Sequence, residues 1–505
     1  MNEFEIKFLF PEEKLIQIES YLIANGGTRR QHLQAAYIDT PDFLLSRAAI
    51  AFRLRREGRQ WIQTLKVATS NMLERLEHNV VISAAGKDLP TWDIRLHQNH
   101  KAGKRLNKLL SKSNTKDLRV VYQTDIWRRK ALVHTQSGTI EYALDCGNIF
   151  AERSTGITKV SVQELEIELK DGSSETVLNQ AKQVIREFNA HIDTRSKSER
   201  GFLLASDLTF SPPQKASYYS LNHAASKAEI IRILIDSCMS QILSNQSILN
   251  AGVKDYSEYL HQLRIGLRRL KVIFKYLPNL DNEISQESIV NFKSVFSGLG
   301  QYRDAHFVTE FLNPILISLG GPEVVQGELP RLSHPSTITR DINFQIFLLE
   351  AMRLSLEKSK GGLDDRQSNC KHQDELDFKK FVNTQLTKII INFTKKVSNF
   401  KSLKDAEIHE LRKKMKFMRY SLDFFNEYLD QKRLPSYYKR TSELLQHFGF
   451  FNDICVAIKN FDVLVKDDSN LLFALGWLKG ERERVKTVCH KSAKSLLKCE
   501  APWKM

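Results

Sequence analysis

The sequence predicts an α+β chain. A strand-rich first half closes around a polar interior, and an all-α second half is built as a duplicated helical bundle. Three observations carry this expectation. Up to about residue 205, apolar residues recur at every second position, the period of a strand, in IAFRLRR (50–56), WIQTLKV (61–67), RLEHNVVI (75–82), TIEYALD (139–145) and VQELEIEL (162–169). From about residue 223, Leu, Ile and Phe recur at three and four, the period of an amphipathic helix. Two blocks of the second half then repeat each other, with His261 and Asp304 answered by His409 and Asp453, 148 and 149 positions on.

Composition sets the bounds. The 505 residues are 42% hydrophobic, enough for real cores, and domains of ~100–200 residues make two or three of them. The formal net charge of +16 favours polyanionic partners such as phosphates, nucleic acid or an anionic membrane surface, without choosing among them. Residues 1–200 carry 31 basic and 25 acidic side chains and the remainder 44 and 34, so both halves are basic. The N-terminus has two acids and no apolar core, which excludes a signal peptide. No apolar run is long enough to span a bilayer. Six scattered cysteines without CxxC spacing predict the reduced thiols of a cytoplasmic protein. Pro212 and Pro213 in TFSPPQKASYYS mark a linker over 206–222, between domains at 1–205 and 223–500. The polar, aperiodic stretch at about 358–376 predicts a mobile loop.

In a strand, positions i and i+2 share a face. MNEFEIKF therefore groups Glu3, Glu5 and Lys7, and AFRLR groups Arg53 and Arg55. Lys66 follows in WIQTLK, Arg75 and Glu77 in RLEHN, Arg128 in QTDIWRR, Glu141 and Asp145 in TIEYALD, and Glu164, Glu166 and Glu168 in ELEIEL. A merely wet face mixes Ser, Thr, Gln and Lys; these faces hold unmixed runs of acid or base. A closed barrel with a polar interior accounts for all of them, its apolar faces packing outward on helices such as EEKLIQIESYLIANGG. Charges that lose water must meet counter-ions. Clustered carboxylates suit Mg2+ or Mn2+, and clustered Arg and Lys suit phosphate oxygens. Together they predict a metal-bridged polyphosphate, with metal on Glu3 and Glu5 and phosphate on Lys7.

These residues resemble, in order, the motifs of the CYTH superfamily of triphosphate tunnel metalloenzymes. Glu-x-Glu-x-Lys opens the chain, and YIDT (37–40), FRLR (52–55), TLK (64–66), LEHN (76–79), Arg128, ALD (143–145), ELEIEL (164–169) and SKSERGF (196–202) follow. The resemblance implies an antiparallel eight-stranded tunnel with outer helices that hydrolyses a triphosphate with a divalent metal. It implies metal ligands at Glu3, Glu5, Glu164 and Glu166, with Glu168 as an alternative and Asp145 holding metal or the attacking water. It implies phosphate ligands at Lys7, Arg53, Arg55, Lys66, Arg128, Lys197 and Arg200, and Glu77 as an orienting group; Arg75 joins the phosphate set from its place on the same face.

In the helical half, HQLRIGLRRLKVIF aligns His261, Arg264, Arg268 and Lys271 on one helix face, and HELRKKMKFMRYSL aligns His409, Arg412, Lys416 and Arg419 at the same spacing. Leu260, Leu263, Leu267 and Leu270, and Ile408, Leu411, Met415 and Met418, form the apolar stripes beside them. LGQYRDA (299–305) and FGFFNDI (448–454) repeat as G-x-x-[RN]-D, taken as turns. A basic stripe on one helix is usually solvated; the same four-point spacing twice argues for a site. No acid or cysteine stands at metal spacing from either histidine. These blocks resemble the CHAD domain, which implies two four-helix bundles related by a pseudo-twofold axis and a basic groove for inorganic polyphosphate. Arg303 belongs to that groove, and Asn452 in its place in the second repeat implies unequal halves.

The expected function is hydrolysis of inorganic triphosphate to pyrophosphate and phosphate, with the helical half binding polyphosphate. The alternatives are hydrolysis of nucleoside or thiamine triphosphates, cyclisation of ATP, or a non-catalytic polyphosphate-binding protein. The basic helices carry no recognised nucleic-acid motif or interleaved aromatic platform, so no specific nucleic-acid partner is expected. The oligomeric state is left open.

Overall fold

The computed structural model describes residues 2–69, 74–82, 88–111, 117–153, 156–217, 219–221, 226–277, 284–324, 332–356, 368–466 and 468–503. Its first half contains β1 (Asn2–Leu9), β2 (Gln31–Asp39), β3 (Ile50–Glu57), β4 (Gln60–Ala68), β5 (Glu74–Ile82), β6 (Arg119–Thr135), β7 (Gly138–Arg153), β8 (Gly156–Gly172) and the two-residue β9 (His191–Ile192). The order is β5-β4-β3-β2-β6-β7-β8-β1, all antiparallel, and β1 pairs again with β5 through Glu3 and Arg75, so eight strands close into a barrel. The two-residue β9 lies against the end of β1 at Phe8 and Leu9.

Alternation sorts the side chains as the sequence predicts. Phe4, Ile6 and Phe8 of β1, Ile140, Tyr142 and Leu144 of β7, and Leu165 and Ile167 of β8 point outward and are buried. They pack against α1 (Leu15–Ala24) and α3 (Ser174–Phe188). On the far side, Phe52, Leu54 and Leu65 pack on α2 (Lys101–Leu110). The next helix, α4 (Lys197–Ala205), starts where the Ser196 hydroxyl accepts the Glu199 N–H, a normal N-cap. Gly201 lets it lie flat on β6: a Cβ there would come 2.2 Å from the Tyr122 ring. This packing turns Lys197 and Arg200 toward the barrel.

Among the described residues, the long helices of the second half form two four-helix sets. The first is α5 (Lys227–Asn250), α6 (Ser257–Phe274), α7 (Gln286–His306) and α8 (Ile342–Leu356). The second is α9 (Ser368–Ser398), α10 (Asp405–Phe424), α11 (Leu434–Leu464) and α12 (Leu472–Leu497). The repeated blocks occupy equivalent places, since α6 packs on α10 and α7 on α11. Two local expectations are corrected. The G-x-x-[RN]-D blocks are not turns; both lie inside helices, α7 and α11, because Leu299 and Phe448 bury there and hold the helical period. The expected loop at 358–376 is helical from Ser368 onward, and 357–367 lie outside the described residues. One apolar core runs from the outer face of β1, β7 and β8 through α3 into the helical half, and α3 packs on α8, with Lys182 and Glu350 paired at 3.3 Å.

Candidate active site and basic groove

The barrel encloses a cavity of about 730 Å3. Strand register makes its two walls chemically opposite. On one wall, Glu5 lies beside Glu168 and Glu168 beside Glu141, a row of carboxylates across β1, β8 and β7. The next row is Lys7, Glu166 and Ala143, and the next joins Glu164, Asp145 and Arg128. Four strands away around the barrel, β3 presents Arg53 and Arg55, flanked by Tyr37 of β2 and Lys66 of β4. Glu5, Lys7, Arg53, Arg55, Lys66, Glu77, Arg128, Glu166, Glu168 and Lys197 all line the cavity.

Between the walls is a dense ion cluster. Lys197 lies 2.6 Å from Asp145 and 2.8 Å from Glu166, and also contacts Glu164. The Arg128 guanidinium donates to Asp145 at 2.6 Å and to Glu166 at 2.8 Å, and Arg200 pairs with Glu164. Burial alone would lower the Lys197 pKa, but Asp145, Glu164 and Glu166 outweigh it and raise it. Burial pushes Glu166 the other way, and Lys197 and Arg128 overcome it to hold Glu166 well below the usual carboxylate range. Asp145 is held low by the same two cations against its burial. Carboxylate oxygens of Asp145, Glu164 and Glu166 come within 4.8 Å of one another. An all-oxygen donor set of this kind fits a hard divalent cation.

The basic wall is less satisfied. Arg53 donates to the Tyr37 hydroxyl at 3.2 Å, and Arg55 pairs with Glu57. Yet the Nε groups of both are buried without a hydrogen-bond partner. Burial, then the neighbouring Arg53, pushes Arg55 down to about 10. Buried guanidinium donors without acceptors are costly, and an anion relieves the cost. Lys66 is met by Glu77 at 2.8 Å, and Asn79 donates to Glu77 at 2.9 Å.

Not every expected residue faces the cavity. Asp145, Glu164 and Arg200 sit behind its lining, the two carboxylates fully buried. The Glu3 and Arg75 side chains lie outside the described residues. Sequence reasoning passed over Lys130 and Lys170, which hold Glu141 at 3.0 Å and Glu168 at 2.7 Å. Each is two positions beyond a residue on the same inward face, so alternation could have found both. Ser196, Ser198 and Tyr37 also line the cavity.

In the helical half, His261, Arg264, Arg268, Arg303, Arg412 and Lys416 surround a second cavity of about 1120 Å3. The remaining three expected residues do not reach it. Lys271 lies over the Phe296 ring, His409 bonds Asn452 at 2.6 Å, and Arg419 pairs with Asp423 beside a neighbouring pocket. The repeat has a packing meaning: Gly300 lies under Arg264 and Gly449 under Arg412, where a Cβ would stand 3.5 and 3.8 Å from the guanidinium groups. Arg303 bridges the repeats, 2.8 Å from Asp453. Cations still outnumber acids there. Burial, then Arg268, Arg412 and Arg303, pushes Lys416 down to about 5. Arg264 and Arg412 are pushed down to about 10 by burial and by Arg303. Arg264 Nη1 and Arg412 Nε are buried without a partner.

Comparison with known proteins agrees with both halves. The CYTH domain profile matches residues 1–202 and the CHAD domain profile matches 233–461. An inorganic triphosphatase of Haemophilus influenzae is 27% identical over 211 residues, 41% of this chain, and the match spans 56% of that protein's length. The crystal structure of the CHAD domain from the plant Ricinus communis is 19% identical with a TM-score of 0.44, over 57% of this chain and 98% of that one. A putative adenylate cyclase from Bacillus halodurans is 21% identical with a TM-score of 0.26, over 37% of this chain and 89% of that one. The chain thus joins two families in sequence, a CYTH domain followed by a CHAD domain.

Proposed function

We propose that the barrel is a divalent-metal-dependent triphosphatase that converts inorganic triphosphate and water to pyrophosphate and phosphate. The observation that carries this reading is the opposition of the walls: Glu5, Glu166 and Glu168 on one side and Arg53 and Arg55, with unpartnered buried Nε groups, on the other. A cation-bound triphosphate satisfies both at once. The triphosphatase from Haemophilus influenzae supports the substrate class.

Glu3, Glu5, Glu166 and Glu168 would hold Mg2+ or Mn2+, with Glu164 and Asp145 behind them. The metal supplies charge neutralisation on the phosphoryl oxygens and polarises water. Arg53, Arg55, Lys66 and Lys7 bind phosphate oxygens, while Arg128 and Lys197 on the lining fix the carboxylates and meet charge that builds on the leaving pyrophosphate, and Arg200 holds Glu164 from behind. Glu77 orients Lys66. Water adds to the terminal phosphorus, the bridging P–O bond breaks, and pyrophosphate leaves.

The second cavity is read as a polyphosphate-binding groove on His261, Arg264, Arg268, Arg303, Arg412 and Lys416. Among the described residues no helix is long and apolar enough to cross a membrane; a cytoplasmic place suits the free thiols of Cys146, Cys238, Cys455, Cys489 and Cys499. The test is phosphate release from tripolyphosphate, ATP and thiamine triphosphate with Mg2+, Mn2+ or chelator. Preference for tripolyphosphate in kcat/KM, lost in Glu5→Ala, supports the reading. Preference for either organic triphosphate, cyclic AMP formation, or no metal-dependent release overturns it.

A further inference from the structure

The boundary between the two halves is not only apolar. Gln246 of α5 and Gln345 of α8 are fully buried there, and both reach into the first half. Gln345 Oε1 accepts the N–H of Ile192 at 2.9 Å, and Gln246 Nε2 donates to the C=O of Ile192 at 2.7 Å. The two amides also bond each other at 2.9 Å. One residue of the first half thus has both backbone groups held by side chains of the second. Two positions on, the Thr194 N–H donates to the Ser247 hydroxyl at 3.0 Å.

The clamped segment, 191–196, runs straight to the tunnel. Ile192 pairs with Phe8 of β1, and the Asp193 N–H donates to the C=O of Lys7 at 2.9 Å. Asp193 is buried and holds Arg195 through its backbone and guanidinium N–H groups. The C=O of Arg195 in turn accepts from the Lys7 ammonium. Ser196, next in the chain, caps the helix that begins with Lys197. The strap thus holds the Lys7 ammonium directly through the Arg195 C=O, whereas the Lys197 ammonium is held by Asp145, Glu164 and Glu166.

We infer that Gln246 and Gln345 are positioning residues for the tunnel, acting through the 191–196 strap to set where Lys7 presents its ammonium group. The inference rests on the tunnel reading above. The helical half braces the strap from outside the closed barrel, and a change at the buried amides reaches the phosphate site although neither amide touches it.

A double-mutant cycle in the full-length chain tests this, with phosphate release from tripolyphosphate as readout. Gln345→Met removes the acceptor for Ile192, and the expected loss of kcat is about ten- to a hundredfold, with KM moved far less. Lys7→Met alone gives a comparable loss. Because the clamp acts through Lys7, the double variant should be no worse than about threefold below Lys7→Met, whereas Gln345→Met combined with Arg55→Met should be multiplicative. Lys182→Gln, at the same boundary but off the strap, should leave turnover unchanged. If Gln345→Met does not fold, Ser247→Ala gives a milder version of the same cycle. Multiplicative losses with Lys7→Met in an active protein overturn this inference alone. If wild type releases no phosphate, the cycle is read on tripolyphosphate affinity by calorimetry; wild type that neither hydrolyses nor binds overturns the tunnel reading and this inference with it.

Discussion

Lys197 Nζ lies 2.6 Å from Asp145 Oδ2, at the centre of a cluster in which Lys197, Arg128 and Arg200 meet Asp145, Glu164 and Glu166. The Asp145 carboxylate is fully buried, so its negative charge depends on these neighbours. Breaking a buried ion pair by removing one partner costs about 3–5 kcal/mol. Lys197→Met is therefore expected to destabilise the protein by about that much in chelator. Mn2+ should restore part of the loss, since it can take the ammonium's place among the oxygens. Thermal melts with and without Mn2+ check both halves of this prediction.

The basic wall makes a different prediction. Arg53 and Arg55 have buried donors that a bound phosphate would satisfy. A charge-assisted hydrogen bond contributes about 1.5–3 kcal/mol. Arg53→Met and Arg55→Met should each lower kcat/KM for tripolyphosphate by roughly ten- to a hundredfold and leave the melting temperature unchanged or higher. Steady-state phosphate release beside thermal melts separates this from unfolding.

The groove carries a proton-linked signature. Lys416, pushed down to about 5 by burial and by Arg268, Arg412 and Arg303, is neutral at pH 7.5. A polyanion in the groove offsets those cations and lets Lys416 charge. Polyphosphate binding at pH 7.5 should take up to about one proton, measurable by calorimetry in buffers of different ionisation enthalpy. The uptake should vanish in Lys416→Met. That variant should also be the more stable one near neutral pH, because the folded chain refuses a proton that the unfolded chain binds.

Acid should loosen the boundary between the halves. His191 is buried, its Nε2 has no partner, and burial followed by Arg340 pushes it down to about 4. The unfolded chain binds this proton near pH 6.5 and the folded chain only near 4. The contribution is complete above pH 6.5 and is lost as pH falls toward 4, up to roughly 3 kcal/mol. Urea midpoints at pH 7.5, 6.0 and 5.0 should fall, and His191→Leu should flatten the slope.

How much of this could be read from sequence follows from what each signal measures. Strand alternation identified the inward faces of β1, β3, β7 and β8, because a period of two assigns each residue to one side. It could not say which inward residues keep contact with the cavity. Asp145 and Glu164 share a face with Glu166, yet α4 lays Lys197 and Arg200 over them. The repeat with period 148 singled out Arg264 and Arg412, which line one cavity, but a four-point stripe along one helix is longer than that cavity is wide. Lys271 and Arg419 therefore fall beyond it. The G-x-x-[RN]-D blocks, expected as turns, lie inside helices. There each glycine has a guanidinium packed over it, at a distance where a Cβ would make only ordinary contact. The strap at 191–196 has no periodic signature, and its partners come from residues more than fifty positions away.

The most direct test of the account is a crystal of the full-length protein soaked with Mn2+ and a slowly hydrolysed imidotriphosphate, read by anomalous scattering. The account predicts manganese against Glu5, Glu166 and Glu168, with phosphate oxygens on Arg53 and Arg55 across the same cavity. Manganese elsewhere, or the anion only in the helical groove with Arg53 and Arg55 left uncontacted, would contradict it.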